Sequence, residues 1–242
     1  MHIYLRTLIF LIICLIGSRS VASAADSTLP FLAKGSTVVF IGDSITDGGR
    51  QRTGNDFNHT MGQSYAYLLA ATLGNQLAER DLTCLNRGIG GNRISDLQNR
   101  WQNDVIALKP DLLSILIGIN DTFSGHGETT EQFEQIYDTL LRDTLLALPK
   151  IKIVLGEPFV LAVGKYRDSY PTARVEVAQR QAAVARLAAR YRLPLIHYQA
   201  VFDAALQRAP ADHWLWDGIH PHYAGHGLMA AEWLKIVDSA WR

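Results

Sequence analysis

The chain contains very little cysteine, and its charges balance. Two cysteines, Cys14 and Cys84, occur among 242 residues, and Cys14 lies in an N-terminal apolar run. If that run is removed, the single remaining cysteine cannot form an internal disulfide, so stability must come from core packing. The formal net charge is zero, with 23 basic and 23 acidic side chains. This balance gives no indication of a nucleic acid or an anionic membrane surface as a partner.

The chain also lacks the nucleophile turn of α/β-hydrolases and a clear metal-ligand pattern. It has no Gly-x-Ser-x-Gly segment, the turn that carries the nucleophile in α/β-hydrolases. Four histidines lie close together late in the chain, which is a reason to consider zinc; they are His213, His220, His222 and His226. No cysteine accompanies them, and His220 has a better role, described below. The sequence therefore predicts no metal and no cofactor.

Residues 1–24 have the composition of a secretory signal. Arg6 precedes an unbroken apolar run from Leu8 to Ile16, and Ala22-Ser23-Ala24 offers the small residues that a signal peptidase reads. The run is too short to span a bilayer as a permanent helix. Cys14 lies inside the run and not beside the cleavage site, which disfavours a lipoprotein anchor. We therefore expect a secreted or periplasmic protein without a stable membrane anchor.

Short apolar runs alternate with segments of helical spacing along residues 25–242. The predicted strands are 37–42, 82–86, 112–117, 151–155 and 195–198, and the predicted helices are 63–77, 94–108, 130–148, 172–191, 200–207 and 223–239. Such alternation is typical of a parallel sheet with helices on both faces. Because no repeat, low-complexity tract or interdomain linker interrupts the pattern, we expect one α/β domain, a three-layer α/β/α sandwich.

Polar or glycine-rich clusters are expected to meet at one edge of this sheet. They are Gly42-Asp43-Ser44, Gly90-Gly91-Asn92, Gly118-Ile119-Asn120-Asp121 and Asp217-Gly218-Ile219-His220. Each cluster alone has a simple structural explanation, such as a helix cap or an Asx turn. Ligands of parallel α/β sheets bind at the carboxyl ends of the strands, so the four clusters together indicate a site.

The residue types in these clusters fit nucleophilic catalysis. The Ser44 hydroxyl is a weak nucleophile until a base removes its proton, and His220 is a base whose usual pKa lies near neutral pH. Asp217 precedes His220 by three residues and can reach its second ring nitrogen across one turn. The Ser44 amide, the Gly91 amide and the Asn120 side chain are candidate donors for an oxyanion hole.

In these four blocks the chain resembles the SGNH (GDSL-type) hydrolases. The blocks begin at Gly42, Asn86, Gly118 and Asp217, in that order, and the resemblance extends over about residues 37 to 237. It implies a flavodoxin-like sandwich around a five-stranded parallel sheet. It also implies a triad of Ser44, Asp217 and His220 and an oxyanion hole of Ser44, Gly91 and Asn120, with Gly91 preferred to Gly90 by its distance from Asn86.

Within this family the chain looks like bacterial carbohydrate esterases, particularly acetylxylan esterases. That resemblance implies a secreted serine esterase that removes acetyl groups from a small-molecule or polysaccharide ester through an acyl-enzyme. The candidate substrate contacts are Asp43, Asn92 and Trp216, although Asp43 is expected mainly to orient the turn beside the nucleophile. Packing beneath the last loop is an equally good explanation for Trp216 and for its neighbour Trp214.

Two other functions remain open at this stage. One is a lysophospholipase, thioesterase or arylesterase of the same superfamily, and the other is a catalytically silent sugar-binding protein. The triad of Ser44, Asp217 and His220 disfavours the second, since a binding protein has no use for it. Related esterases often self-associate, so a homo-oligomer is possible, but no isolated apolar stripe in this sequence demands one.

Overall fold

A computed structural model describes residues 29–54, 56–123 and 127–242, and these are organised around one parallel sheet. Its strands are β1 (Thr37–Gly42), β2 (Thr83–Asn86), β3 (Leu112–Leu116), β4 (Lys152–Gly156) and β5 (Leu195–Ile196). Their spatial order is β2-β1-β3-β4-β5, and all four pairings are parallel. This is the flavodoxin-like order, with a reversal between β1 and β3. The predicted five-stranded parallel sheet is confirmed.

Helices cover both faces of the sheet. They are α1 (Ser44–Asp47), α2 (Phe57–Met61), α3 (Tyr65–Gln76), α4 (Ile94–Trp101), α5 (Ile119–Phe123), α6 (Thr130–Ala147), α7 (Tyr170–Tyr191), α8 (Tyr198–Ala205), α9 (Ala211–Trp214) and α10 (Tyr223–Ala240). Single 3-10 turns occur at Ala78–Arg80 and Gly164–Tyr166.

The alternation of side chains along each strand divides the core between the two faces. Val38 and Phe40 of β1 pack with α3, α8 and α10, whereas Val39 and Ile41 pack with α4, α6 and α7. All five residues of β3 are buried, because this strand is covered by helices on both sides. The result is the expected three-layer α/β/α sandwich.

The paired strands end together, and this alignment prepares the site. Phe40 pairs with Asn86, and Gly42 pairs with Leu116, which in turn pairs with Gly156. Gly42 must be glycine here, because a Cβ atom would lie 2.2 Å from the Leu116 carbonyl oxygen. The chain therefore leaves β1 in close contact with the end of β3.

The predictions of regular elements fail mainly at short helices. Four helices of four or five residues, α1, α2, α5 and α9, lie outside the predicted helices. A helix of about one turn does not show the hydrophobic period that identifies longer helices. The helix predicted over 94–108 ends as an α-helix at Trp101 and continues as a π turn over Gln102–Ile106.

Cys84 is a free, partly buried thiol packed against the core. Burial raises its pKa to about 11, so the thiolate is strongly disfavoured at neutral pH. The predicted signal segment, residues 1–24, lies outside the described residues. Within the described residues, no helix combines the length and apolar character needed to cross a membrane.

Candidate active site

The candidate nucleophile lies at the first position of a helix that begins where β1 ends. Asp43 caps α1 by accepting a hydrogen bond from the Ile45 amide at 2.9 Å, and Ser44 follows it directly. The Ser44 amide has no hydrogen-bond partner among the described residues. The turn therefore presents both a hydroxyl and a free N–H at the carboxyl edge of the sheet.

Ser44, His220 and Asp217 form a hydrogen-bonded series. The Ser44 Oγ lies 2.8 Å from the His220 Nε2, and the His220 Nδ1 lies 2.8 Å from the Asp217 Oδ2. A carboxylate can only accept, so Nδ1 donates to Asp217 and Nε2 accepts from the serine hydroxyl. The histidine is thus held in the tautomer that can remove a proton from Ser44.

The loop around Asp217 stabilises the charged form of this carboxyl group. Burial favours the neutral acid, but the His220 ring and the backbone amides of His220 and Ile219 all donate to Asp217 and lower its pKa to about 2. Lys165 adds a more distant positive charge, with its Nζ 3.9 Å from the Asp217 Oδ2. Asp217 is therefore an anion throughout the neutral pH range.

Asp43 lies in a different environment. Its side chain has no exposed surface, and its Oδ2 atom has no hydrogen-bond partner among the described residues. Burial raises its pKa to about 7, even though the Ile45 amide and His220 favour the anion. This complete burial argues against the predicted contact between Asp43 and the substrate. Its role in orienting the turn is visible in the cap of α1.

Two further donors lie on neighbouring segments, Gly91 in the glycine loop after β2 and Asn120 in the short helix α5. The Gly91 amide has no partner among the described residues, whereas the Gly90 amide donates to the Asp47 Oδ2 at 2.8 Å. This difference favours Gly91 as the oxyanion donor. The Asn120 Nδ2 donates to the Asn92 carbonyl at 3.0 Å, which uses one of its two N–H groups and leaves the other free.

Asp47 was missed as a positioning residue. It ends α1, is 6% exposed, and binds the Gly90 amide through Oδ2 and the Arg50 amide through Oδ1. It therefore connects the helix that carries Ser44 to the loop that carries Gly91. In the sequence, Asp47 directly precedes the Gly48-Gly49 pair. This pattern is equally typical of an acidic residue in an exposed turn, so the sequence alone does not identify the positioning role.

The Asn86 side chain holds together α1, α2 and the glycine loop through hydrogen bonds to their backbones. Its Nδ2 donates to the carbonyls of Thr46 and Met61 at 2.7 and 2.8 Å, and its Oδ1 accepts from the Gly88 amide at 2.8 Å. A Cβ atom on Gly88 would lie 2.3 Å from the Asp47 amide nitrogen. These contacts require the Asn and Gly types seen in the second motif block.

The two tryptophans near the triad differ in their exposure to solvent. Trp216 is 56% exposed, and its ring stacks on the His220 ring with centroids 5.4 Å apart. Trp214 is buried, and its Nε1 donates to the Ala209 carbonyl at 3.1 Å. The packing explanation therefore holds for Trp214, while Trp216 is free to meet a ligand.

An open cavity of about 430 Å³ lies beside the nucleophile, and Trp216 and His220 line it together with Ser44, Gln63 and Tyr223. Tyr223 is 86% exposed at the start of α10. Asn92 is half-buried, and its Oδ1 accepts from the Arg100 Nε at 2.8 Å. The Asn92 side chain is therefore partly committed to holding its own loop.

The late histidines have separate positions in the fold. His222 is the residue before α10, and His226 lies one turn into that helix. The His226 Nδ1 accepts from the Tyr65 amide at 3.1 Å, and burial, followed by the charge of His220, lowers its pKa to about 4. Among the described residues, no three His, Cys, Asp or Glu side chains are grouped as metal ligands would be.

Comparison with known proteins gives consistent matches over most of the chain. The model of the GDSL-like Lipase/Acylhydrolase family matches residues 40–228. An acetylxylan esterase from Geobacillus stearothermophilus is 33% identical over 217 residues, which cover 87% of this chain and 97% of that protein. The solved structure of an acetylxylan esterase from the same organism superposes with a TM-score of 0.75 at 31% identity, covering 85% of this chain and 95% of that one.

A second solved structure is similar over the same region. It is assigned as a GDSL-like lipase from Parabacteroides merdae and superposes with a TM-score of 0.80 at 35% identity, covering 86% of this chain and 98% of that one. The solved structures of the Geobacillus enzyme include variants described as catalytic mutants.

Proposed function

Because the chain belongs to the GDSL-like lipase/acylhydrolase family, whose members include serine ester hydrolases, we propose that it removes acetyl groups from carbohydrate. The observation that carries the proposal is the hydrogen-bonded series Ser44–His220–Asp217 at an open cavity. The similarity to an acetylxylan esterase over 97% of that protein's length supports the choice of an acetylated carbohydrate as the substrate.

The first half of the proposed reaction transfers the acetyl group to the enzyme. His220 takes the proton of the Ser44 hydroxyl, and the serine oxygen attacks the acetyl carbonyl carbon. The negative charge that develops on the carbonyl oxygen is stabilised by the Ser44 and Gly91 amides and the free N–H of Asn120. The carbonyl then re-forms, the bond to the sugar oxygen breaks, and His220 returns the proton to that leaving oxygen.

The second half releases acetate. A water molecule gives a proton to His220 and attacks the acetyl-serine carbonyl, and the same three donors stabilise the new oxyanion. Collapse breaks the bond to the Ser44 oxygen, which recovers the proton from His220. Asp217 remains an anion in both halves, where it stabilises the imidazolium and keeps the histidine in one tautomer.

The sugar would occupy the cavity beside the triad. The exposed faces of Trp216 and Tyr223 suit the apolar C–H surfaces of a sugar ring, and Gln63 offers both a donor and an acceptor for hydroxyl groups. Asn92 is a weaker candidate for contact, since its Oδ1 already accepts from Arg100. The other enzyme candidates are a lysophospholipase, a thioesterase and an arylesterase, and the first would require a long apolar groove.

Export is a separate part of the proposal. It supposes that residues 1–24 are cleaved as a signal and that residues 25–242 form one catalytic domain in the periplasm or outside the cell. The apolar run before Ala22-Ser23-Ala24 supports this expectation. N-terminal sequencing of the exported protein tests it directly. A mature protein that begins near Ala25 is the expected result, and a retained Met1 would contradict it.

The catalytic proposal is tested with two substrates. Ser44→Ala is expected to lower kcat for p-nitrophenyl acetate by about a millionfold, because no other group replaces the nucleophile. Ser239→Ala, at an exposed position of α10, is the matched control and is expected to leave the rate unchanged. Acetate release from acetylated xylo-oligosaccharides should be lost in the same variant. Activity that rises with acyl chains beyond about four carbons would favour a lipid substrate instead.

A further inference from the structure

A second cavity, of about 280 Å³, lies behind the glycine loop on the β2 side of the site. Three arginines, Arg50, Arg52 and Arg87, line it, and Phe57 lies at the same cavity. None of these residues belongs to the triad or to the proposed oxyanion hole. The proposed acetylesterase reaction therefore gives the cavity no role.

The three arginines have an incomplete set of negative partners. Asp47 is the carboxylate that pairs with two of them, with the Arg52 Nη2 at 3.3 Å and the Arg50 Nε at 3.9 Å. The guanidinium of Arg87 has no hydrogen bond or ion pair with any described residue, and its Nε is buried. The nearby Asp104 is already engaged by Arg100 at 2.7 Å.

The positive charges are close enough to affect each other. Burial lowers the pKa of Arg50, Asp47 partly offsets this, and the charges of Arg87 and Arg52 lower the pKa further. Like charges confined in a half-enclosed space repel one another, and an anion placed between them removes part of that repulsion. The cavity is thus suited to a group with negative charge and planar oxygen acceptors.

Phe57 adds an apolar surface to the same cavity. It is the first residue of α2, and 77% of its surface is exposed although it is a large aromatic side chain. Such exposure is unfavourable in water unless a partner covers the ring. A sugar ring presents C–H groups that can cover an aromatic face while a substituent carboxylate meets the arginines.

The cavity is also close to the nucleophile. The Asp47 Oδ2 accepts both from Arg52 and from the Gly90 amide, so one carboxylate separates the arginines from the glycine loop. A Cβ atom on Gly90 would lie 3.8 Å from the Ser44 Cβ. A sugar unit near Ser44 and another unit of the same chain in the cavity would therefore be near neighbours.

We propose that this arginine cavity binds the carboxylate of a uronic acid unit, so that the enzyme prefers acetylated oligosaccharides that carry such an acid. This inference rests on the proposed function and narrows its substrate class. Arg87 and Arg52 bind the carboxylate, Phe57 covers the sugar ring, and Arg50 is mainly held in place by its bond to the Gly88 carbonyl at 2.9 Å.

Binding without turnover gives the direct test. Calorimetry with Ser44→Ala protein compares an unacetylated xylo-oligosaccharide bearing one glucuronic acid with a neutral oligosaccharide of the same length. We expect about tenfold tighter binding of the acidic ligand, as for a charge-assisted contact, and we expect added salt to reduce the difference. Equal affinity for the two ligands would overturn the proposal.

Two arginine-to-glutamine variants, one in the cavity and one outside it, test where the acidic ligand binds. Arg87→Gln in the same background should abolish the preference for the acidic ligand, whereas Arg142→Gln, on an exposed part of α6, should preserve it. Loss of the preference in both variants, or in neither, would contradict the assignment to this cavity. Thermal unfolding of Arg87→Gln, compared with that of the parent protein, establishes that the variant is folded.

Acetate release distinguishes failure of this inference from failure of the proposed function. If neutral and acidic acetylated oligosaccharides are cleaved with equal kcat/KM, the esterase proposal stands and the arginine cavity has no such role. If neither is cleaved but the acidic ligand still binds through Arg87, the acetylesterase proposal fails and the binding site stands.

Discussion

Two carboxyl groups lie near Ser44, and their surroundings shift their pKa values in opposite directions. The loop of residues 217–220 donates three hydrogen bonds to Asp217, and its pKa falls to about 2. Asp43 is completely buried in the turn that ends β1, and its side chain accepts one hydrogen bond, from the Ile45 amide. Its pKa rises to about 7. Desolvation raises the pKa of both carboxyls but acts more strongly on the fully buried Asp43, which also has fewer donors, so burial and hydrogen bonding together decide which acid stays charged.

The comparison indicates how the two roles are divided. A permanent anion that accepts from the His220 ring can stabilise an imidazolium, whereas a carboxyl that is partly protonated near neutral pH cannot do so reliably. Asp43 instead uses one oxygen to cap α1, and so determines where Ser44 lies. Proximity in sequence to the nucleophile is therefore a poor guide to the acid of a triad.

Of the two carboxyls, Asp217 is expected to show the larger effect when it is neutralised. Asp217→Asn should lower kcat for p-nitrophenyl acetate by about 10⁴-fold, because the amide favours the wrong tautomer of His220 and cannot stabilise its charge. Asp212→Asn removes the same charge from an exposed position nearby and should have little effect. The measurement is steady-state kinetics near neutral pH.

The same kinetics on Asp43→Asn test whether the two carboxyls have different roles. Because an asparagine oxygen can still cap α1, we expect kcat to fall by no more than about tenfold, or about 1.4 kcal/mol in the barrier. A loss as large as that of Asp217→Asn would mean that the charge of Asp43 is needed for catalysis, and the division of roles described above would be wrong.

The pH dependence of stability should separate the two carboxyls by sign. The Asp43 pKa is raised from 3.8 to about 7, so between these values the folded protein holds a proton that the unfolded chain releases. Its contribution to the free energy of unfolding therefore falls as pH rises from about 4 to about 7. Asp217 has a lowered pKa, so its contribution is complete above about pH 4 and is lost as pH falls towards about 2.

Urea unfolding at a series of pH values measures this difference. Relative to wild type, Asp43→Asn should gain stability as pH rises from about 4 to about 7, since the variant has no carboxyl to ionise. The difference between the two proteins cancels the contribution of Asp121, whose pKa burial also raises to about 7. A difference that is constant across this range would show that Asp43 is not protonated in the folded protein.

The smallest expected effect lies beside Asp217, at Trp216. Removal of this exposed ring should raise KM for an acetylated oligosaccharide about threefold to fivefold and leave kcat nearly unchanged, because the contact is equal in the ground and transition states. Trp241→Ala is a control at the far end of α10, where the ring packs on Phe31 at 5.2 Å. A large fall in kcat for Trp216→Ala would indicate that the stacked ring positions His220.

Much of the fold could be predicted because its long elements carry strong local patterns. The predicted β1 has the observed bounds, and the predicted bounds of α6 and α10 differ from the observed ones by at most one residue. Each has an apolar run or an apolar stripe between glycine, proline or polar boundaries. The short helices α1 and α5 carry Ser44 and Asn120, and they could not be predicted because they are too short to show a period.

Residue chemistry and spacing along the chain indicated which side chains to consider as a triad. A hydroxyl, an imidazole and a carboxylate three residues before it are local facts, and the order of the strands brings them to one edge. The choice between two nearby residues of the same type, by contrast, depended on packing. Trp214 is buried and Trp216 exposed, and the Gly90 amide donates to Asp47, whereas the Gly91 amide has no partner in the part of the chain that the structure describes. Burial and the position of a distant acceptor decide these cases, since neither is encoded within a few residues.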